Sequence, residues 1–561
     1  MRSKILSLAL QLLLTVWAAA QTTVKPTTNN EVKEETCVVS GKVVRKADSV
    51  PLKGATVQLV NGEDRENTIA TKTGPDGHFE LRNVPAGQYR FKAMRNGYVE
   101  YEYGQKKAAD PGATFTLRAG QRMRDLIFKL ARAGVITGRI YDDDGEAMPG
   151  AIVSALRQIY KDGRKQFEIT NSDRSNDLGE YRLHGLAPGR YYVSVQPQTW
   201  NRVVGDREFS GTEKNGGERG YARIYYPNAA DPTRATNIEV KEGEEVPAVD
   251  ILMKEVAVYR VRGKVLNLIS KHGSRETGMQ VMRRNGKLDW DWLTGANVSK
   301  SDGTFEIPEM VPGEYTVLAF WGDEGKMYST QEDVDVVNAD VDGLILSIGP
   351  GVNIAGQVNW EGKMSLEGDE VSITASPVQS GFVWGGMARV NEGQQFTLKD
   401  VPQGVFRLEI NGLSKDCYIK EVRQGENLLS DDFFRVARGA AIPLEVTVSS
   451  RGAKVEGTVT NEDSLPVAGV WVVAIPEEAK SKQHRLFKAE TTDQFGHFSL
   501  RGLAPGKYKL FSWDGAERGV WEDEDFVKPF EEKGVTVEVV DGDRKAADLS
   551  LIQLKDAAIK N

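Results

Sequence analysis

Five histidines, two cysteines and ten tryptophans are the residues of this 561-residue chain with the most distinctive chemistry. Zinc hydrolysis needs two or three His or Glu ligands converging on an open coordination position. His78, His184, His272, His484 and His497 stand in no H-x-x-E or H-E-x-x-H pattern, so no metallopeptidase is expected. His78 and His497 occupy equivalent places in a recurring phrase where other copies carry Glu180 and Thr304, as solvent-facing turn residues do. Neither Cys37 nor Cys417 has a neighbouring base to activate it, and no G-x-S-x-G elbow is present. "EKNGGERG" lacks the Lys-Ser/Thr that closes a phosphate loop. The acidic stretches "DDDGE" (142–146) and "WEDEDF" (521–526) match no calcium-loop spacing and read as solvated turns. No catalytic residue, metal site or cofactor is expected.

The aromatic residues are the stronger candidates, because rings on loops beside polar groups suit sugar stacking or protein contact. Trp290 and Trp292 lie two apart in "KLDWDWLTG" and would share one face of a strand. Trp384 sits in "SGFVWGGM", and Trp321, Trp513 and Trp521 follow strands that begin at Tyr315 and Tyr508. An inserted segment, "PQTWNRVVGDREFSGTEKNGGERGYARIYYPNAADPT", adds Trp200, Tyr225 and Tyr226. These nine residues are the predicted carbohydrate or partner contacts. The competing expectation is that such rings cover the ends of small sandwiches or pack between neighbouring units.

The elements that would position them come from repetition. "DGHFELRNVPAGQYRF" (76–91) returns as "DLGEYRLHGLAPGRYYV" from Asp177, "SDGTFEIPEMVPGEYTV" from Ser301 and "DQFGHFSLRGLAPGKYKL" from Asp493, with a worn copy, "EGQQFTLKDVPQGVFRL", from Glu392. Upstream of each stands an apolar-x-Gly-x-apolar strand, with Gly41, Gly138, Gly263, Gly356 or Gly457 at its centre. A glycine there implies close backbone approach or a bend. Asp76-Gly77 predicts a hairpin turn, Phe79 and Leu81 feed a core, and Pro85 with Gly87 turns the chain into a strand starting at Tyr89. About seven short strands per ~100 residues, with no helical periodicity, predict an all-β protein of five tandem antiparallel β-sandwiches in an elongated array. The repeats are expected at 36–131, 132–256 (with the long insertion), 257–349, 350–450 and 451–561.

The N-terminus reads differently. Arg2 and Lys4 precede "ILSLALQLLLTVW" and then "AAA", which is the pattern of a signal peptide over 1–20. No Cys follows to mark lipid attachment, and 21–35 is polar enough to be a disordered leader. Loss of Arg2 and Lys4 moves the formal charge from −8 to −10. An acidic chain without a basic stripe excludes nucleic acid as the expected partner, and no later run is long and apolar enough to span a bilayer. A secreted, periplasmic or cell-surface monomeric rod is expected, its partner a polysaccharide or a surface protein. Cys37 and Cys417, in different repeats, are expected as free thiols rather than one inter-repeat disulfide.

Together, V-x-G-x-V, P-x-x-G-A-x-V, "DGHFELRNVPAGQYRF" and the closing "DLIFKL" resemble the carboxypeptidase regulatory-like domain over nearly the whole mature chain. The third and fourth copies depart from it: "GSRETGMQVMRRNG" lacks the Pro-Gly turn, and Gln394 stands where the others have glycine. The resemblance implies a transthyretin-like (prealbumin-like) sandwich related to starch-binding-like and collagen-adhesin B-type modules. It also implies a non-catalytic accessory role outside the cytoplasm, and it makes carbohydrate the leading ligand expectation. A protein-binding rod accessory to an outer-membrane system is the alternative, and a hydrolase with an unrecognised site the third. An internal Lys–Asn cross-link, which adhesin-type relatives can carry, is not expected, since "RDLIFKL" and "GLILSI" have no Asn.

Overall fold

The computed structural model describes residues 36–554 apart from 62–67, 108–109, 162, 198–218, 270–276, 285–291, 295–297, 300, 324–325, 364–369, 379–384, 430–432, 438, 440 and 478–482. The expected signal peptide and leader therefore lie outside the described residues.

The first repeat shows the plan. Its strands are β1 (Cys37–Arg45), β2 (Thr56–Asn61), β3 (Thr68–Lys72), β4 (His78–Val84), β5 (Gly87–Met94), β6 (Tyr101–Glu102), β7 (Phe115–Leu117) and β8 (Arg122–Leu130). One sheet has the order β4-β1-β8; the other runs β3-β2-β5-β6, with β7 also on β5. Alternation places Val39, Val43, Val57, Leu59, Phe79, Leu81, Tyr89, Phe91 and Phe128 between the sheets, all buried. Burying each aromatic or leucine side chain there is worth roughly 1.5–3 kcal/mol. Four more buried clusters, one in each later repeat, are built from the matching positions.

Among the described residues pairing is antiparallel except where the closing strand returns, and in the fifth repeat Ile552–Gln553 also runs parallel to Gly506–Asp514. The closing strand runs parallel to the opening one: β8 beside β1, Val341–Ile348 beside Tyr259–Asn267, Leu444–Ser449 beside Val352–Glu361, with the second and fifth repeats alike. The "DG" turn also differs from a hairpin. It joins β3 to β4, which belong to opposite sheets, so it is a corner between layers. An Asp or Asn side-chain oxygen holds each such corner, as Asp76 accepts from the His78 amide at 3.1 Å and Asp493 from the Phe495 and His497 amides at 2.8 and 2.9 Å. Gly77, Gly179, Gly303 and Gly496 take φ of 72–79° there, and Gln394 is forced to 63°.

The central glycine now has a physical reason. Gly41, Gly138, Gly263, Gly356 and Gly457 lie opposite Phe79, Tyr181, Phe305, Phe396 and Phe498 in register. A Cβ at Gly356 would fall 2.1 Å from the Phe396 ring, and one at Gly457 2.0 Å from the Ala547 carbonyl. The ring and the parallel closing strand occupy the space a side chain would need. A second device ties the next corner: Tyr89, Tyr191, Tyr315 and Tyr508 each donate their hydroxyl to the carbonyl four residues back, at 2.7–3.1 Å. Phe406 holds this place in the fourth repeat and has no hydroxyl to donate.

An elongated array would place the fifth repeat farthest from the first. Instead the chain turns back on itself. The Thr491 hydroxyl donates to the Gly112 carbonyl at 3.4 Å, and Ala468 packs on the first repeat's core. A Cβ at Gly469 would lie 2.1 Å from the Gly104 carbonyl, so two backbones meet there. Gly519 sits against the Tyr160 carbonyl of the second repeat, and Gly163 against that of Glu522. Two of the short junctions are held by backbone hydrogen bonds from both flanking repeats. At 131–133 the chain bonds to Gly97, Val99 and Gly243, and at 451–452 to Asp416 and Gly542.

Candidate functional site

Of the nine predicted contact residues, Trp200, Trp290 and Trp384 lie outside the described residues, and only the backbone of Trp292 is described, in the short strand Trp292–Thr294. The others do not offer open ring faces. Trp321 is buried and stacked on Tyr328 at 5.8 Å. Tyr225 is buried beside Leu156 and Phe167, and Tyr226 packs on the second repeat's core. Trp513 is 1% exposed and lies parallel to Phe511 at 4.9 Å. Trp521 is buried 5.2 Å from Trp471.

For Trp513 and Trp521 the reason is a second apolar cluster on the outside of the fifth sandwich. Trp471, Val473, Phe511 and Trp513 face outward from its second sheet, and the excursion 515–534 lays Val520, Trp521 and Phe530 over them, with Tyr160 of the second repeat against the edge. The sequence carried a signal for this that period-two reading passes over. "VWVVAI" is an unbroken apolar run, as expected of a strand buried on both faces, whereas "TVQLV" in the first repeat alternates.

The surface that closure creates is a cleft of about 1210 Å³ between the first, fourth and fifth repeats. One wall is the outer face of β2, β5 and β7, where Gln58, Gln88, Arg90, Lys92, Thr114 and Thr116 alternate with core residues. The other wall is the outer face of Ala453–Thr460 and His497–Leu503, carrying Lys454, Glu456, His497, Ser499 and Arg501; Lys415 closes the fourth-repeat end. Five bases and five acids line it, and most are already paired. Lys92 reaches Glu100 and Glu102 at 3.0 and 3.2 Å, and Lys454 reaches Glu456 at 2.6 Å. Arg501 grips Asp416 with two bonds, which also ties the fourth repeat to the fifth. A balanced, paired lining gives no net pull on an ion. Its amides and hydroxyls suit a hydrated ligand with many hydroxyl or peptide groups. Sequence reasoning missed this site because an outward polar residue on a strand looks the same whether it meets bulk water or a facing wall.

The remaining chemistry-bearing groups are quiet. His78, His184 and His497 are exposed, and His272 lies outside the described residues. His484 Nδ1 pairs with Glu522 at 2.9 Å. Cys37 and Cys417 are both buried and unbridged; the Cys37 thiol donates to the Arg118 carbonyl, and burial pushes the Cys417 thiol above its ordinary pKa. Asp142 spends one oxygen on the Asp144 and Glu146 amides, and Asp523 caps the Glu524–Val527 turn of helix through the Asp525 amide. Among the described residues no three His, Cys, Asp or Glu side chains converge as a metal-ligand set, and no helix is long and apolar enough to cross a membrane.

Fold and surface thus define a class: a multi-repeat β-sandwich protein whose repeats wall a shared polar cleft. Residues 38–131 match the family model of the carboxypeptidase regulatory-like domain, so the first repeat is such a domain. The mouse BOS complex subunit NOMO1 is 28% identical over 158 residues, 28% of this chain and 12% of its own length. The match thus spans a small part of that relative. Among solved structures, the minor pilin GBS52 of Streptococcus agalactiae is 12% identical, with 39% of this chain and 96% of that one covered at a TM-score of 0.21. The Bacillus anthracis TIE protein is 15% identical, with 55% and 51% covered at 0.15.

Proposed function

We propose that this protein is a non-enzymatic, extracytoplasmic binding scaffold. Five carboxypeptidase regulatory-like sandwiches, divided near residues 36, 132, 257, 350 and 451, close up to hold an extended polysaccharide in the cleft between the first, fourth and fifth. The observation that carries the reading is the cleft's lining: facing walls of Gln58, Gln88, Thr114, Thr116 and Ser499, with its charges balanced. Polyhydroxylated chains exchange water hydrogen bonds for such groups at little cost, whereas an apolar ligand would strand them. The signal-peptide-like start supports export, which N-terminal sequencing of the mature chain beginning at Gln21 would test.

The binding test is a polysaccharide pull-down and glycan array with the intact chain and with Gln58→Ala/Gln88→Ala. Retention of a glycan that the double variant loses supports the reading. A blank panel, or retention unchanged by the wall variant, overturns it. A protein ligand is the second reading, favoured by the outer edge of His497–Leu503, which ends its sheet and borders the cleft. Saturable binding of an unstructured peptide, blocked by Ser499→Pro, would favour it. Turnover of any member of a peptide and glycoside panel would instead make the protein a hydrolase.

A further inference from the structure

The excursion 515–534 does not lie flat on the fifth sandwich. Between it, the end of the Trp471–Pro476 strand and the segment at Phe487 lies a separate pocket of about 540 Å³, which shares no residue with the cleft. Its floor is apolar, made by Ile475, Phe487, Phe511, Trp521 and Val527. Its volume lies in the ~300–1,000 Å³ range of small-ligand sites, and an apolar floor with a few polar groups at the mouth is the usual build of one. The second repeat covers the outside of its own second sheet differently, with Tyr225, Ala229 and Ala235 packed on Leu156, Phe167 and Tyr192, whereas this pocket is formed by the fifth repeat's own excursion.

Charge narrows the ligand. Glu477, Glu522, Glu524, Asp525 and Glu531 line the pocket against Lys507, Lys509 and Lys528. Two of the acids are engaged across the walls: Lys509 Nζ holds Glu531 at 2.5 Å, and His484 holds Glu522 at 2.9 Å. Those contacts shape the walls. Taken together, five carboxylates against three lysines leave the lining acidic, with Glu477 and Asp525 exposed at the mouth beside Lys507 and Lys528. An anionic amphiphile would meet like charge, and a neutral apolar one would cover carboxylates without replacing their water. A cation on an apolar body satisfies both parts, its stem on the aromatic floor and its charge among the carboxylates.

We propose that this pocket binds an organic cation carried on an apolar body, the chemistry of a basic peptide side chain or a hydrophobic amine. The cheapest probe set is three isosteres: 4-phenylbutylamine, 4-phenylbutyrate and 4-phenylbutan-1-ol, titrated into the full-length protein by saturation-transfer NMR and calorimetry. The amine should bind about tenfold tighter than the acid, since one charge–carboxylate contact near a surface is of that order. Glu477→Lys/Asp525→Lys changes only exposed residues and should leave the thermal transition in place while removing the preference for the amine. Lys528→Ala should tighten amine binding. Equal binding of all three probes, preference for the acid, no binding of the amine, or amine binding indifferent to the charge reversal would each overturn the proposal. A bound ligand that also needs Gln58 or Gln88 would place the contact in the cleft and equally overturn it.

Discussion

The first and fifth repeats have the same interior and opposite exteriors. Tyr89 and Tyr508 tie the same corner, and Val57 and Val472 fill the same core position. At the outward positions of the same strands, Thr56, Gln58, Lys92 and Met94 of the first repeat become Trp471, Val473, Phe511 and Trp513 in the fifth. The first repeat's face stays wet and forms one wall of the cleft, whereas the fifth's is sealed by its own excursion and by Tyr160. Residues between the sheets specify a sandwich, and those on its outside specify what the sandwich meets. A tandem array can therefore keep one fold from copy to copy and still make each copy a different part.

The largest test of this contrast is truncation at one matched outward position. Trp513→Ala should cost about 3–5 kcal/mol, as other buried tryptophan truncations do, while Met94→Ala should cost no more than about 1 kcal/mol. Denaturant unfolding measures both, and similar costs would break the comparison. Next come the matched turn glycines Gly54 and Gly469. Both have φ near 70°, but a Cβ at Gly54 meets open space while one at Gly469 meets the Gly104 carbonyl. Alanine should cost each about 1–2 kcal/mol of left-handed strain. Only Gly469→Ala should also open the closure, seen as a larger radius of gyration in X-ray scattering and loss of cleft binding.

A smaller effect is expected from Asp110, buried on the first repeat's side of the closure beside Trp471. Burial holds its carboxyl above the ordinary range, with Lys107 and the Trp471 side chain opposing. The closed form therefore binds this proton more tightly than the open one. Its contribution to closure is full below the ordinary carboxylate pKa of about 4 and is lost as pH rises through the raised value. Asp110→Asn should raise the Tm near neutral pH and flatten that slope; an unchanged profile would remove Asp110 from the closure. The smallest test concerns what the two repeats share. Tyr89→Phe and Tyr508→Phe should each cost about 1 kcal/mol, and equally, since each removes one corner hydrogen bond.

Much of the fold was legible because period-two alternation reports directly which side of a strand is apolar. The five recurrences of the phrase, the core places of Phe79 and Leu81 and the meaning of the central glycines all followed from it. Less was legible where pairing partners matter. Nothing in "RDLIFKL" says that β8 runs parallel to β1, or that the "DG" turn passes between sheets. The candidate site was least legible. The tryptophans were read as ligand platforms, yet Trp321, Trp513 and Trp521 proved to be packing, while the polar residues of the cleft carried no distinguishing mark.

By itself, then, the sequence determined the unit: which residues point inward, where the corners fall, and that the opening strand needs glycine at its centre. These are local consequences of backbone geometry and apolar burial, and a short window of residues suffices for them. Only the tertiary structure decided that the fifth repeat returns to the first and second. Only it, in turn, decided which outward residues face each other across the cleft and which are sealed. Those outcomes depend on contacts between residues as far apart as Gly112 and Thr491, which no local pattern encodes.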